Sequence, residues 1–107
     1  MARSFVTATL IAWHVEQFTE TAILLTSELV TNAVLHAGSG VVLQIARTTD
    51  GIRCEVTDRG PGRPEMRLAR AEDLSGRGLQ LVDQLSRAWG VAPDHGGKSV
   101  WFELTDP

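Results

Sequence analysis

Three groups of residues in this chain have types and spacings that could do chemistry. Glu28, Asn32 and His36 recur at every fourth position within an apolar run, so on a helix they form one narrow polar stripe. Burying an unpaired carboxylate on such a rod is costly or forces its protonation. The stripe therefore lines a cavity, meets a cation or another segment, or is the solvated face of a less buried helix. Asp58-x-Gly60-x-Gly62 sets an accepting carboxylate beside two positions where backbone can approach a flat ligand, although Asp and Gly are also ordinary turn residues. Gly76-x-Gly78 precedes apolar helical sequence, and the free N–H groups that open a helix favour an anion such as a phosphate.

Other patterns carry less. Leu81 stands where a dinucleotide-binding loop needs its third glycine, and the segment before Gly76 reads as loop instead of strand. Gly97-Lys98-Ser99 lacks the residues that precede the lysine of a phosphate-binding P-loop, and a strand follows it where a helix is required. It reads as a hairpin turn. His14 and His95 have no companions, and Cys54 alternates with Ile52 and Val56 on what should be a buried strand face, where a thiol is inert.

The elements that must position these residues follow from periodicity. Ala2 to Trp13 has apolar residues at three- and four-residue spacing and predicts a first helix. Thr19 is placed as the N-cap of a second, Ala22 to Ala37, whose apolar residues cover most of the circumference and which ends at Gly38. Val41 to Arg47 and Ile52 to Asp58 predict a β-hairpin turning at Asp50-Gly51. Arg59 to Ser75 breaks every period, with Gly60, Pro61, Gly62 and Pro64, and five arginines lie between Arg59 and Arg77 against three acids. It reads as a long basic lid with room for a short helix around Glu65 to Ala71. Leu79, Leu81, Val82 and Leu85 predict a third helix, and Trp89 to Val91 with Ser99 to Leu104 a closing hairpin turning through Pro93 to Gly97. Helices and hairpin-joined strands in blocks predict an α+β two-layer sandwich.

Composition narrows the classes. The 107 residues, 43% of them hydrophobic, suit one domain, 1–107, with one core. Ten basic against thirteen acidic side chains leave a net charge of -3, which argues against a protein built to hold a nucleic-acid backbone. No apolar run approaches the ~20 residues of a bilayer crossing and the first residues do not open a signal peptide, so no membrane partner and a cytoplasmic location are expected. A single cysteine excludes an internal disulfide and a cysteine-rich zinc site.

Taken in order, Glu28-Leu-Val-Thr-Asn32, Asp58-Arg-Gly60-Pro-Gly62 and Gly76-Arg77-Gly78-Leu79 resemble the motifs of the GHKL ATPases. The nearest resemblance is to the anti-sigma-factor serine/threonine kinases and their actinobacterial histidine-kinase-like ATP-binding relatives, carried by Ser27 to Ala37 and Gly97 to Leu104. It spans nearly the whole chain. It implies a Bergerat fold, a mixed and mostly antiparallel sheet with helices on one face, and ATP held between the second helix and the lid. By the same resemblance Asn32 would coordinate Mg²⁺, Asp58 would accept from the adenine amino group, and Gly60 and Gly62 would make room for the base. Gly76, Arg77, Gly78 and Leu79 would form the phosphate-binding turn, Glu28 would be the general base, and Ser99, where many relatives have threonine, would serve a water network near adenine. Relatives usually begin with a strand ahead of the first helix, which this chain is expected to lack. An exposed sheet edge favours pairing between chains, and a homodimer is expected.

Three functions remain open at this level. The first is Mg-ATP-dependent phosphorylation of a serine or threonine on an anti-sigma-antagonist protein, with a sigma factor as a second partner and no direct contact with nucleic acid. The second is a protein-binding module switched by ATP without significant transfer, and the third a domain without nucleotide. A self-contained histidine kinase is disfavoured, because the chain leaves no room for its dimerisation helices and phosphoacceptor histidine.

Overall fold

The computed structural model describes residues 2–37, 41–58, 79–94 and 97–106. Helix α1 (Ala2–Ala12) leads through a 3-10 turn (Glu16–Phe18) into α2 (Thr19–Ala37). Strands β1 (Val41–Arg47) and β2 (Gly51–Asp58) follow, then helix α3 (described over 79–85), β3 (Ala88–Asp94) and β4 (Gly97–Thr105). The four strands form one sheet in the order β1-β2-β4-β3. This is the expected α+β arrangement, and all three described pairings are antiparallel, where the resemblance implied a mixed sheet.

Strand alternation builds the core. Ile52, Cys54 and Val56 on β2 lie opposite Leu104, Phe102 and Val100 on β4, and all six are buried. They meet Val6 and Leu10 of α1, and Ala22, Leu25, Leu29 and Ala33 of α2, in one cluster. The buried positions of α2 recur at three and four residues, the stripe of a helix lying on a sheet. Thr26 falls within that stripe, its hydroxyl donating to the Ala22 carbonyl at 2.7 Å, which removes the cost of burying it. Reading α2 as buried over most of its circumference is corrected here, because Leu24 is 40% exposed and one sheet covers only one side of a rod. Leu85 of α3 likewise faces out, while Val82 is buried.

Both ends of the α1–α2 connection depart from expectation. Thr19 is not an N-cap but the first helical residue, at φ -59° and ψ -50°, with its N–H donating to the Glu16 carbonyl. The 3-10 turn satisfies that donor, so no side-chain cap is required. At the other end α1 stops at Ala12, and His14 takes a left-handed φ of 59°. Its N–H donates to Ile11 O and that of Val15 to Leu10 O, both at 3.0 Å, the paired bonds of a Schellman closure. A histidine in this region carries a steric penalty that glycine lacks. His14→Gly should therefore stabilise the protein by about 0.5–1 kcal/mol net of glycine's chain entropy, read as a rise of a few degrees in Tm.

The hairpin turns are also shifted. Thr48 N–H donates to Gly51 O at 3.0 Å and Arg47 pairs with Ile52, so the β1–β2 turn is centred on Thr49 and Asp50. Gly51 is the first residue of β2, and a Cβ there would collide with the Leu104 carbonyl of β4. In the closing hairpin Pro93 and Gly97 belong to the strands, paired with Lys98 and Asp94 respectively. Proline is tolerated there because β3 is an edge strand with no neighbour on its far side among the described residues. On the sheet's outer face Trp101 lies over Gly90, and the Arg53 guanidinium stacks on the Trp101 ring at 4.1 Å while pairing with Glu103 at 3.3 Å.

Candidate functional site

A narrow cleft lies between the helices and the sheet where β2 ends and β4 begins. Leu29, Asn32 and Ala33 of α2, Val56 and Asp58 of β2, Leu79 of α3, and Lys98 and Val100 of β4 line it. The walls are mostly aliphatic, and the polar groups are few: a carboxylate, an amide and an ammonium. That is the composition of a site for a flat, mainly apolar ring oriented by a small number of hydrogen bonds. Asp58 is 2% exposed, and its carboxylate accepts hydrogen bonds only, so it suits the exocyclic amine of a base such as adenine.

Alternation explains the convergence. Asp58 and Lys98 face each other in the β2–β4 register, as do Val56 and Val100 two residues on, so all four project to the helix side. Gly97 secures the arrangement. A Cβ on it would meet the Asp58 carbonyl oxygen and come within 2.7 Å of Asp58 Oδ1. Gly97→Ala should displace Asp58 and cost about 1–3 kcal/mol through overpacking, with nucleotide affinity falling alongside. Thermal melts and nucleotide titration of that variant check both.

The cleft brings together Asn32, Asp58 and Leu79 of the expected site residues. Glu28, one turn before Asn32, is half-buried on α2 and is not among the residues lining the cleft. Ser99 is corrected. It lies on the opposite face of the sheet, its hydroxyl donating to Glu55 Oε2 at 2.7 Å and standing 3.1 Å from Thr57 Oγ1, which must then donate to it. Its hydroxyl is therefore turned away from the cleft that Lys98 and Val100 line, with the sheet between them. Lys98 takes the inward position instead and is 6% exposed. Counting back by twos from the apolar Val100, Phe102 and Leu104 would have found it. Gly60, Gly62, Gly76, Arg77, Gly78 and the side chain of His36 lie outside the described residues, as does the expected lid.

The remaining titratable group of interest is inert. Cys54 is buried among apolar side chains, and that burial pushes its thiol up to about 12, so it stays protonated at neutral pH. Among the described residues no helix is long and apolar enough to cross a membrane.

The order of elements and the antiparallel sheet agree with a comparison against known families. The chain matches the model of the histidine kinase-like ATPase domain over residues 1–104 and belongs to that family. No curated protein matches it. Membership supports nucleotide binding in a regulatory role.

Proposed function

We propose that the chain binds Mg-ATP with the adenine in the cleft lined by Asp58 and passes the γ-phosphoryl group to a serine or threonine of a partner protein, as an anti-sigma-factor kinase does. The partner would be an anti-sigma antagonist, with a sigma factor as a second partner. What carries this reading is a carboxylate 2% exposed in the lining of a mostly aliphatic cleft that Asn32 also lines. The partner's hydroxyl oxygen bonds to the γ-phosphorus, the bond to the β,γ-bridging oxygen breaks, and ADP departs with that electron pair. The hydroxyl proton passes to the carboxylate of Glu28.

Among the described residues no cluster of three or more His, Cys, Asp and Glu side chains could hold a metal. The donor chemistry of the cleft still fits magnesium, which prefers one or two protein oxygens and shares the rest of its shell with phosphates and water. Asn32 would supply that protein oxygen. The ion, when bound, neutralises phosphate charge.

A second reading is favoured by one observation, that Glu28 is absent from the cleft lining. In it, ATP occupancy sets affinity for a protein partner and no transfer follows. Incubation with γ-labelled Mg-ATP and candidate antagonist proteins separates the two. Label on a partner serine or threonine supports the kinase, retention of ATP without transfer supports the binding module, and neither outcome would remove the nucleotide site itself.

A further inference from the structure

On the sheet face turned away from the helices, the strand registers set side chains out in rows. One row runs Val42, Thr57, Ser99, Ala92, and the next Gln44, Glu55, Trp101, Gly90. Short hydroxyl side chains stand in the middle of the first row and longer ones beside them in the second. The result is a recess lined by both rows' residues from Val42 to Ala92 and by Gln44, Glu55 and Pro93. Thr57 and Ser99, 5% and 6% exposed, form its floor.

The protons of that floor are already committed. Ser99 donates to Glu55 Oε2 at 2.7 Å, and Thr57, 3.1 Å from Ser99, donates to it in turn. A hydroxyl has one proton and two lone pairs, so the recess offers a ligand acceptors: Thr57 Oγ1, the second oxygen of Glu55, and the side-chain carbonyl of Gln44. Its lining holds one carboxylate and no cationic side chain. Arg53, two residues along β2 from Glu55, is engaged by Glu103 at 3.3 Å and by the ring of Trp101.

We propose that this recess seats the side-chain ammonium of a lysine presented by a protein partner. An ammonium has only donors, which matches a pocket of acceptors around one carboxylate. Val42, Ala92 and Pro93 supply apolar walls for the methylene stem, which lysine buries while its charged head meets polar groups. Arginine fits less well, because its planar fork takes a carboxylate by both oxygens and stacks on aromatic faces. Here one Glu55 oxygen is held by Ser99 and the Trp101 ring by Arg53. A free diamine would bring a second charge that a single carboxylate does not match. The recess and the cleft of Asp58 and Lys98 lie on opposite faces of the sheet, so the proposal does not depend on the nucleotide reading.

The probe is a blocked tripeptide, acetyl-Ala-Lys-Ala-amide, titrated into the isotope-labelled whole chain and followed by NMR. Signals of Gln44, Glu55, Thr57 and Ser99 should shift and saturate. Glu55→Gln, which keeps the shape but removes the charge, should weaken binding at least about tenfold. Ala92→Glu, on the exposed rim away from the Ser99–Glu55 bond, adds a second carboxylate and should tighten binding about two- to fivefold. Both variants should keep the dispersed spectrum of the folded chain. Absence of saturable shifts at these residues overturns the proposal, as does unchanged affinity in the two variants. An equal response to the same peptide with its lysine acetylated, or with arginine in place of lysine, overturns it too, and so does tighter binding of a free diamine.

Discussion

The Glu28→Ala variant is expected to bind Mg-ATP with the parental affinity and to transfer phosphate to a partner hydroxyl about 10²–10⁴-fold more slowly, the range a positioned general base supplies. The loss of transfer rests on the proposed base role, and the unchanged affinity on where Glu28 sits. It lies one helical turn before Asn32 on α2 and outside the set of side chains lining the cleft, so its loss removes no wall of the proposed base pocket. Alanine is the best helix former, so α2 should be undisturbed. Single-turnover transfer with labelled ATP measures the rate, and calorimetric titration measures the affinity. A parental rate would remove Glu28 from the mechanism, and a large loss of affinity would give it a binding role instead.

Asp58→Asn carries the second large effect, this time on binding. The carboxylate is almost wholly buried, lines the cleft, and is held against Gly97 by a gap too small for a Cβ. A hydrogen bond from the adenine amino group to a charged acceptor is worth about 1.5–3 kcal/mol, so ATP affinity should fall by about 10–100-fold. Specificity should change as well. Guanine presents a carbonyl where adenine presents its amine, and a carboxylate offers that carbonyl only repulsion, whereas an amide can donate to it. The preference for ATP over GTP should shrink accordingly. Competition titrations of the two nucleotides measure it, with a thermal melt to separate binding loss from unfolding. An unchanged preference would place the base elsewhere.

Much of the architecture was legible because it is local. Apolar spacing along α1, α2 and residues 79–85 repeats with the helical period, and Ile52, Cys54 and Val56 alternate as a half-buried strand must. Asn32 and Asp58 stood out for the same reason, being polar groups where a local pattern called for apolar ones or for a strand end. Failures occurred where the deciding atoms are distant in sequence. Gly51 looked like a turn residue, yet the Leu104 carbonyl is what forbids a side chain there. Likeness of motif points to Ser99, whereas the inward position belongs to Lys98, because one step along a strand reverses the face presented.

The sequence by itself determined the element types, the α+β class, and the candidate status of an asparagine on α2 and an aspartate closing β2, because backbone preference and hydrophobic period act over a few residues. Only the tertiary structure decided that Asn32, Asp58 and Lys98 share one cleft, that Glu28 stands beside it and Ser99 behind it, and that Gly97 makes space for the aspartate. Those outcomes depend on strand register and on close approach between segments some forty residues apart in the chain. No local pattern encodes a register, since it is settled by which face of each strand the helices cover.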